Sequence, residues 1–218
     1  MAYGGWFSKL QQAMTTAALP VQSSCATVIE RKAPETPSTT CSSDLSEDWT
    51  LLEDSQDVSC YDKEELVLMG LGEVLKEMLT EGTPGTHCFQ GGIPGISVYD
   101  YMERLKKHFQ CSNSCFVVAF IYLQRLTKTN SKLTLDQYSI HRLVATSVMS
   151  AALQFDDTFY SLKHYAKVAG VTVQSLCGMQ KTFLEALNYR LHVQPEEFEA
   201  MEAYLVEVGE KMASWQLV

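Results

Sequence analysis

The chain has 218 residues, enough for one sizeable domain and a tail or for two small domains. Hydrophobic residues make up 46% and charged residues 20%, as in soluble globular proteins, and the net charge of -9 without any basic run speaks against a nucleic-acid partner. No apolar run reaches the roughly 18 residues of a membrane span, and Ala2 stands where myristoylation needs glycine, so neither a span nor a lipid anchor is expected.

Residues 1 to 60 read as a largely disordered N-terminal region. Met1 to Met14 could form a short amphipathic helix with Trp6, Phe7, Leu10 and Met14 on one side. From residue 15 the chain is rich in Ser, Thr, Pro and acid, with too little apolar content to offset its ordering entropy. One hydrophobic cluster, Trp49-Thr50-Leu51-Leu52, interrupts the acidic part.

Helical periodicity begins at Asp62 and runs to Leu79, with Leu66, Met69, Val74 and Met78 on an apolar face. Gly82 to Gly95 carries five Gly and two Pro and reads as a loop. Ser97, with Asp100 three residues on, caps a helix that buries Val98, Tyr101, Leu105 and Phe109. Ser114 to about Lys128 is apolar nearly all round, which makes it central or covered by a partner. Thr134 to Gln137 reads as a capping box for a helix through Phe155, whose small-residue stretch 144–152 suits the hub of a bundle. Leu162 to Ala169 forms a short helix stopped by Gly170. Thr172 caps the next, with Val173, Leu176, Met179, Phe183, Leu184 and Leu187 inward. Pro195 opens a last helix, 195–218, whose stripe is Phe198, Met201, Leu205, Val208, Met212 and Trp215. No period-2 strand is found, so the predicted fold class is all-α, with residues 61–194 as its main domain.

Seven cysteines at irregular spacing read as reduced thiols of a cytoplasmic or nuclear protein, small and buried. His108, Cys111 and Cys115 come nearest to a metal site, but a paired-cysteine knuckle is missing and no metal ligand set is expected. No phosphate loop, zinc-protease or nucleophile-elbow motif occurs. His141 and His164 lie on helices without a nucleophile nearby and read as cap or surface residues, and Asp156-Asp157 reads as a helix terminus or cap. No catalytic residues, no cofactor and no enzyme activity are expected.

The order of motifs is more specific. Ile96 to Tyr101 followed by Arg104-Leu105-Lys106, Ser139-x-His141-Arg142-Leu143, Ala151 to Asp157, Tyr165-Ala166-Lys167-Val168-x-Gly170 and Leu176-x-x-Met179-Gln180-x-x-Phe183-Leu184 occur in series. This series resembles the cyclin family, and within it the phosphate-pathway (P- or U-type) cyclins, over about residues 60–194. The resemblance implies a single cyclin box of five helices, with an extra helix before it and another after it. It implies a regulatory subunit that binds and activates a cyclin-dependent serine/threonine kinase, in cell-cycle or phosphate signalling. Cyclins grip the kinase's mobile C-helix and set its Glu against the ATP-site Lys. The matching kinase-facing positions are Gln154 and Phe155 on the third box helix, Gln180, Leu184 and Leu187 on the fifth, then Tyr189 and Leu191. Leu187 reads first as a core residue, and Leu184 and Phe155 could equally fill the core.

Two departures stand out: the family has Lys where this chain has Gln154, and Glu where it has Gln180. Neutral amides still hydrogen-bond, so kinase binding is compatible with them, as is a cyclin-fold adaptor that no longer activates a kinase. Finally, Trp49 and Leu52 within their acidic surroundings resemble the short motif by which autophagy receptors add a strand to a ubiquitin-like protein, a candidate partner for the acidic tail. Docking of this cluster on the chain's own helices is the alternative.

Overall fold

The computed structural model describes residues 61–82, 87–129 and 133–216. The chain divides after Asp57, and the described residues all lie in the second unit, 58–218. The expectations for residues 1–60, including the amphipathic start, the disordered tract and the Trp49/Leu52 motif, fall outside them.

Among the described residues seven helices follow in order: α1 (Lys63–Glu77), α2 (Val98–Phe109), α3 (Ser114–Thr129), α4 (Ile140–Phe155), α5 (Leu162–Ala169), α6 (Val173–Ala186) and α7 (Pro195–Gln216). Among the described residues there is no strand, only an isolated bridge between Thr80 and Asp136. Local chemistry explains most boundaries. The Ser97 hydroxyl accepts the Asp100 amide at 3.1 Å, and Thr172 accepts that of Ser175 at 3.1 Å, each satisfying a free donor of a first turn. Gly170 ends α5 at φ 72, a left-handed conformation that glycine adopts without a Cβ penalty.

Two adjoining helices share the centre. Residues 115–124 of α3 and 143–152 of α4 are buried without a break. The two pack on each other, while α3 also meets α1, α6 and α7 and α4 also meets α2, α5 and α6. The polar members of the α4 core are satisfied within the helix: Thr146, Ser147 and Ser150 donate to the carbonyls of Arg142, Val144 and Thr146 at 2.7–2.9 Å. That leaves a thin, apolar exterior against which neighbours approach closely.

The most extensive contact is between α1 and α7. Gly70 and Gly209 make it possible. A Cβ on Gly70 would overlap the Leu205 carbonyl, and one on Gly209 would overlap the Leu66 carbonyl. The backbones therefore touch, and Leu66, Met69 and Ala213 close the seam beside Tyr61, Tyr99, Val206 and Met212.

Several expectations need correction. α4 starts at Ile140 rather than near Thr134. The buried Asp136 carboxylate takes the Tyr138 amide at 2.9 Å and Gln90 Nε2 at 3.0 Å, so a tertiary bond captures the would-be capping box. Val173 is exposed rather than inward. The buried stripe of α7 ends at Ala213, leaving Trp215 in solvent. The reading of the thiols as buried holds for Cys115 but not for Cys88 and Cys177, which are exposed.

Candidate functional site

The positions singled out on the third and fifth box helices lie on α4, on α6 and on the segment after α6. Gln154 and Phe155 are the last two residues of α4, and both are exposed, Phe155 at 45%. The next residue, Asp156, is extended and ends the helix. Its carboxylate accepts the Ser112 hydroxyl at 2.7 Å and the Ser112 amide at 3.0 Å, tying the end of α4 to the start of α3.

On α6, Gln180 and Leu184 are half-buried and Leu187 is buried. Leu187 therefore belongs to the core, as one of its two readings held. No hydrogen bond joins Gln154 to Gln180 among the described residues.

After α6 the chain turns through two consecutive left-handed residues, Asn188 at φ 51 and Tyr189 at φ 55. The Tyr189 amide bonds the Leu184 carbonyl at 2.9 Å. A bulky residue held left-handed costs roughly 1–2 kcal/mol, and the conformation leaves the Tyr189 ring 65% exposed. Leu191 follows, half-buried.

Two residues of α3 hold this segment in place, and sequence reading passed over both. The Tyr122 phenol donates to the Leu191 carbonyl at 2.8 Å, and burial pushes its pKa up to about 12, so it stays a donor. Arg125 bonds the Arg190 carbonyl at 2.8 Å, the His192 carbonyl at 2.9 Å and the Glu197 carboxylate at 2.6 Å. An arginine fork on two carbonyls and a carboxylate fixes the segment and docks α7 at once. Arg125, Lys128, Tyr189 and Arg190 then border a groove of about 570 Å³, which sets three cationic side chains against Glu197 beside the apolar Leu187 and Leu191. One signal was available: an arginine in the otherwise apolar run of α3 requires partners.

Each edge is also tied to α3. Asp156 meets its first turn, at Cys115, and the Tyr189 segment meets Tyr122 and Arg125. At 1.5 Å per residue these anchor points are about 10–15 Å apart along the helix. A second group that sequence reading missed follows the first edge in the chain: Phe159 and Tyr160, both exposed, between α4 and α5. Tyr160 stacks on His164 at 4.5 Å and bonds Gln110, while His164 Nε2 contacts the His108 carbonyl at 2.7 Å. Exposed aromatics gathered on an ordered edge mark a contact surface more than isolated ones do.

His141 differs from its surface reading. It is half-buried, with Nε2 at 2.9 Å from the Ile96 carbonyl, Nδ1 buried without a partner, and its pKa lowered by burial. It faces the Tyr101 ring at 5.0 Å and has no nucleophile beside it among its described contacts.

A family model described as Cyclin matches residues 20–191. Cyclin-U4-1 of Arabidopsis thaliana is 41% identical over 112 residues, 51% of this chain and 55% of its own length. Cyclin-P4-1 of Oryza sativa subsp. japonica is 35% identical over 126 residues, 57% and 59% respectively. Cyclin-U3-1 of Arabidopsis thaliana is 41% identical over 106 residues, 48% and 47%. The chain spans about half the length of the curated relatives it matches.

Proposed function

Because the chain belongs to the cyclin family and resembles its P- and U-type members, we propose that it is a regulatory subunit that binds and activates a cyclin-dependent protein kinase. Cell-cycle control or phosphate signalling in the cytoplasm or nucleus is the setting of that role. The kinase would rest on two edges spaced along α3: Gln154, Phe155, Phe159 and Tyr160 at one, and Gln180, Leu184, Tyr189 and Leu191 at the other. The observation that carries this reading is Tyr189, an aromatic held in a costly left-handed turn and exposed to 65%. Strain of this kind persists where surrounding structure enforces it and is concentrated at functional positions. The groove beside Tyr189, with its three cationic side chains, would receive acidic groups of the kinase, although the chain as a whole is acidic.

Binding of the purified chain to a cyclin-dependent kinase, with and without Phe155→Ala and Tyr189→Ala, tests the surface. Each truncation is expected to cost about 2 kcal/mol, roughly thirty-fold in affinity, with the circular-dichroism spectrum unchanged. Equal affinity for both variants and the parent would remove this surface. A kinase that binds but is not activated would instead make the chain a cyclin-fold adaptor.

A further inference from the structure

Cys111 and Cys115 are four residues apart, with no second cysteine pair to complete a zinc knuckle. The fold adds a third donor from the far end of α4. The Sγ atoms of Cys111 and Cys115 and a carboxylate oxygen of Asp156 all lie within 4.8 Å of one another. Cys115 is buried, whereas Cys111 and Asp156 are half-buried and leave an approach from solvent.

We propose that Cys111, Cys115 and Asp156 bind a divalent cation of the zinc class, with a fourth position open to water. Around tetrahedral zinc, sulfur at about 2.3 Å and oxygen at about 2.1 Å put neighbouring donors roughly 3.4–3.8 Å apart. No pair of these donors needs to close by more than about 1.4 Å to meet that geometry. Thiolate donors select zinc over magnesium or calcium, which take oxygen.

The surroundings fit a metal ligand set. Ser112 fixes the Asp156 carboxylate with two hydrogen bonds, the outer support that metal-bound carboxylates have. The Cys115 thiol points at Asp156 Oδ2 at 3.3 Å, so its proton stands on the line where an ion would bridge sulfur and oxygen. Binding replaces the two thiol protons, which leave to solvent, and two thiolates plus one carboxylate give the occupied site a charge of about -1. That charge sits at the first turn of α3, where the helix dipole favours it. Asp156 directly follows Phe155, so an ion here would also pin the end of α4.

The reduced full chain, freed of metal by a chelator, is titrated with cobalt(II) and then zinc. One equivalent of cobalt should produce thiolate-to-metal absorption in the near ultraviolet and the strong visible bands of a tetrahedral site, both displaced by zinc. Cys111→Ser and Asp156→Asn should each weaken cobalt binding about ten-fold or more. A variant with Cys25, Cys41, Cys60, Cys88 and Cys177 all changed to Ser should keep it. Cys111→Ser leaves the Asp156–Ser112 bonds in place, so its fold, followed by circular dichroism, serves as control if Asp156→Asn unfolds. No tetrahedral spectrum, or one indifferent to Cys111→Ser, overturns the site. So does a Cys111–Cys115 disulfide that, once reduced, leaves protein unable to take up cobalt.

Discussion

The α1–α7 seam and the edges at the ends of α4 and α6 solve opposite problems. At the seam, two glycines let the helix backbones touch, and Leu66, Met69 and Ala213 pack beside the contact. At the edges, aromatic rings are held away from the core: Phe155 by the abrupt end of α4, and Tyr189 by a left-handed turn braced from α3. The first arrangement maximises contact within the chain. The second leaves contact unmade, at a cost to stability, for something else to complete. Under the proposed function, stability and recognition are assigned to different parts of the same bundle, and substitutions should separate them.

The seam should break hardest. Gly70→Ala or Gly209→Ala drives a methyl group into a carbonyl of the facing helix, which cannot move without parting the seam. Overpacking of this kind is expected to cost about 3 kcal/mol, lowering Tm by roughly 6–12 °C in a chain of this size. The internal control is Gly178→Ala on α6, where nothing lies within 4 Å of the new methyl group. There alanine should gain up to about 1 kcal/mol from helix propensity alone. Thermal unfolding of the three variants is the measurement; equal and opposite-sign failure, with Gly70→Ala neutral, would mean that the helices are not in backbone contact.

This contrast also marks how far the sequence could be read. Helices with an apolar stripe and a capping residue, such as Ser97 for α2 and Thr172 for α6, were legible because the determining atoms are neighbours in the chain. The family resemblance added the five-helix box with one helix on either side, as found. Features joining distant residues were not legible. Gly70 and Gly209 each look like a weak point in a helix until the two helices are side by side. Asp136 reads as part of a capping box until Gln90 takes its carboxylate. Arg125 reaches a segment more than sixty residues away, and Asp156 meets the Cys115 thiol across 41 residues. For the candidate kinase edge, the motif offered the positions as candidates, whereas the exposure of Tyr189 depends on a backbone turn that no local pattern announced.

A smaller effect, of the opposite sign, sharpens the comparison at the edge. Tyr189→Gly relieves the left-handed cost of roughly 1–2 kcal/mol and gives part of it back through the greater freedom of glycine in the unfolded chain. The ring is mostly in solvent, so little burial is lost. The variant should be about 0.5–1 kcal/mol more stable than the parent and yet bind a kinase less well. Higher Tm together with weaker binding is the signature of a residue kept for contact. A variant that is less stable would show instead that the Tyr189 ring supports the groove it borders.

The smallest effect concerns a group that belongs to neither region and whose contribution is visible only through pH. Burial lowers the pKa of His141, and its Nε2 hydrogen bond to the Ile96 carbonyl leaves Nδ1 as a buried, unprotonated nitrogen. The folded chain therefore holds this ring neutral, whereas in the unfolded chain it takes up a proton near pH 6.5. Below that value the unfolded state binds the extra proton first, so stability falls as pH drops from about 6.5 through the lower folded pKa, and is fully present above it. His141→Gln keeps an amide donor for Ile96 and removes the titration. Above pH 7 the Tm of parent and variant should run parallel; between pH 6.5 and 5 the parent should fall more steeply, since the remaining histidines contribute equally to both proteins. Parallel curves across the whole range would mean that the ring accommodates its second proton in the folded state, with Nδ1 finding an acceptor by a small shift of the segment at Ile96 and Ser97.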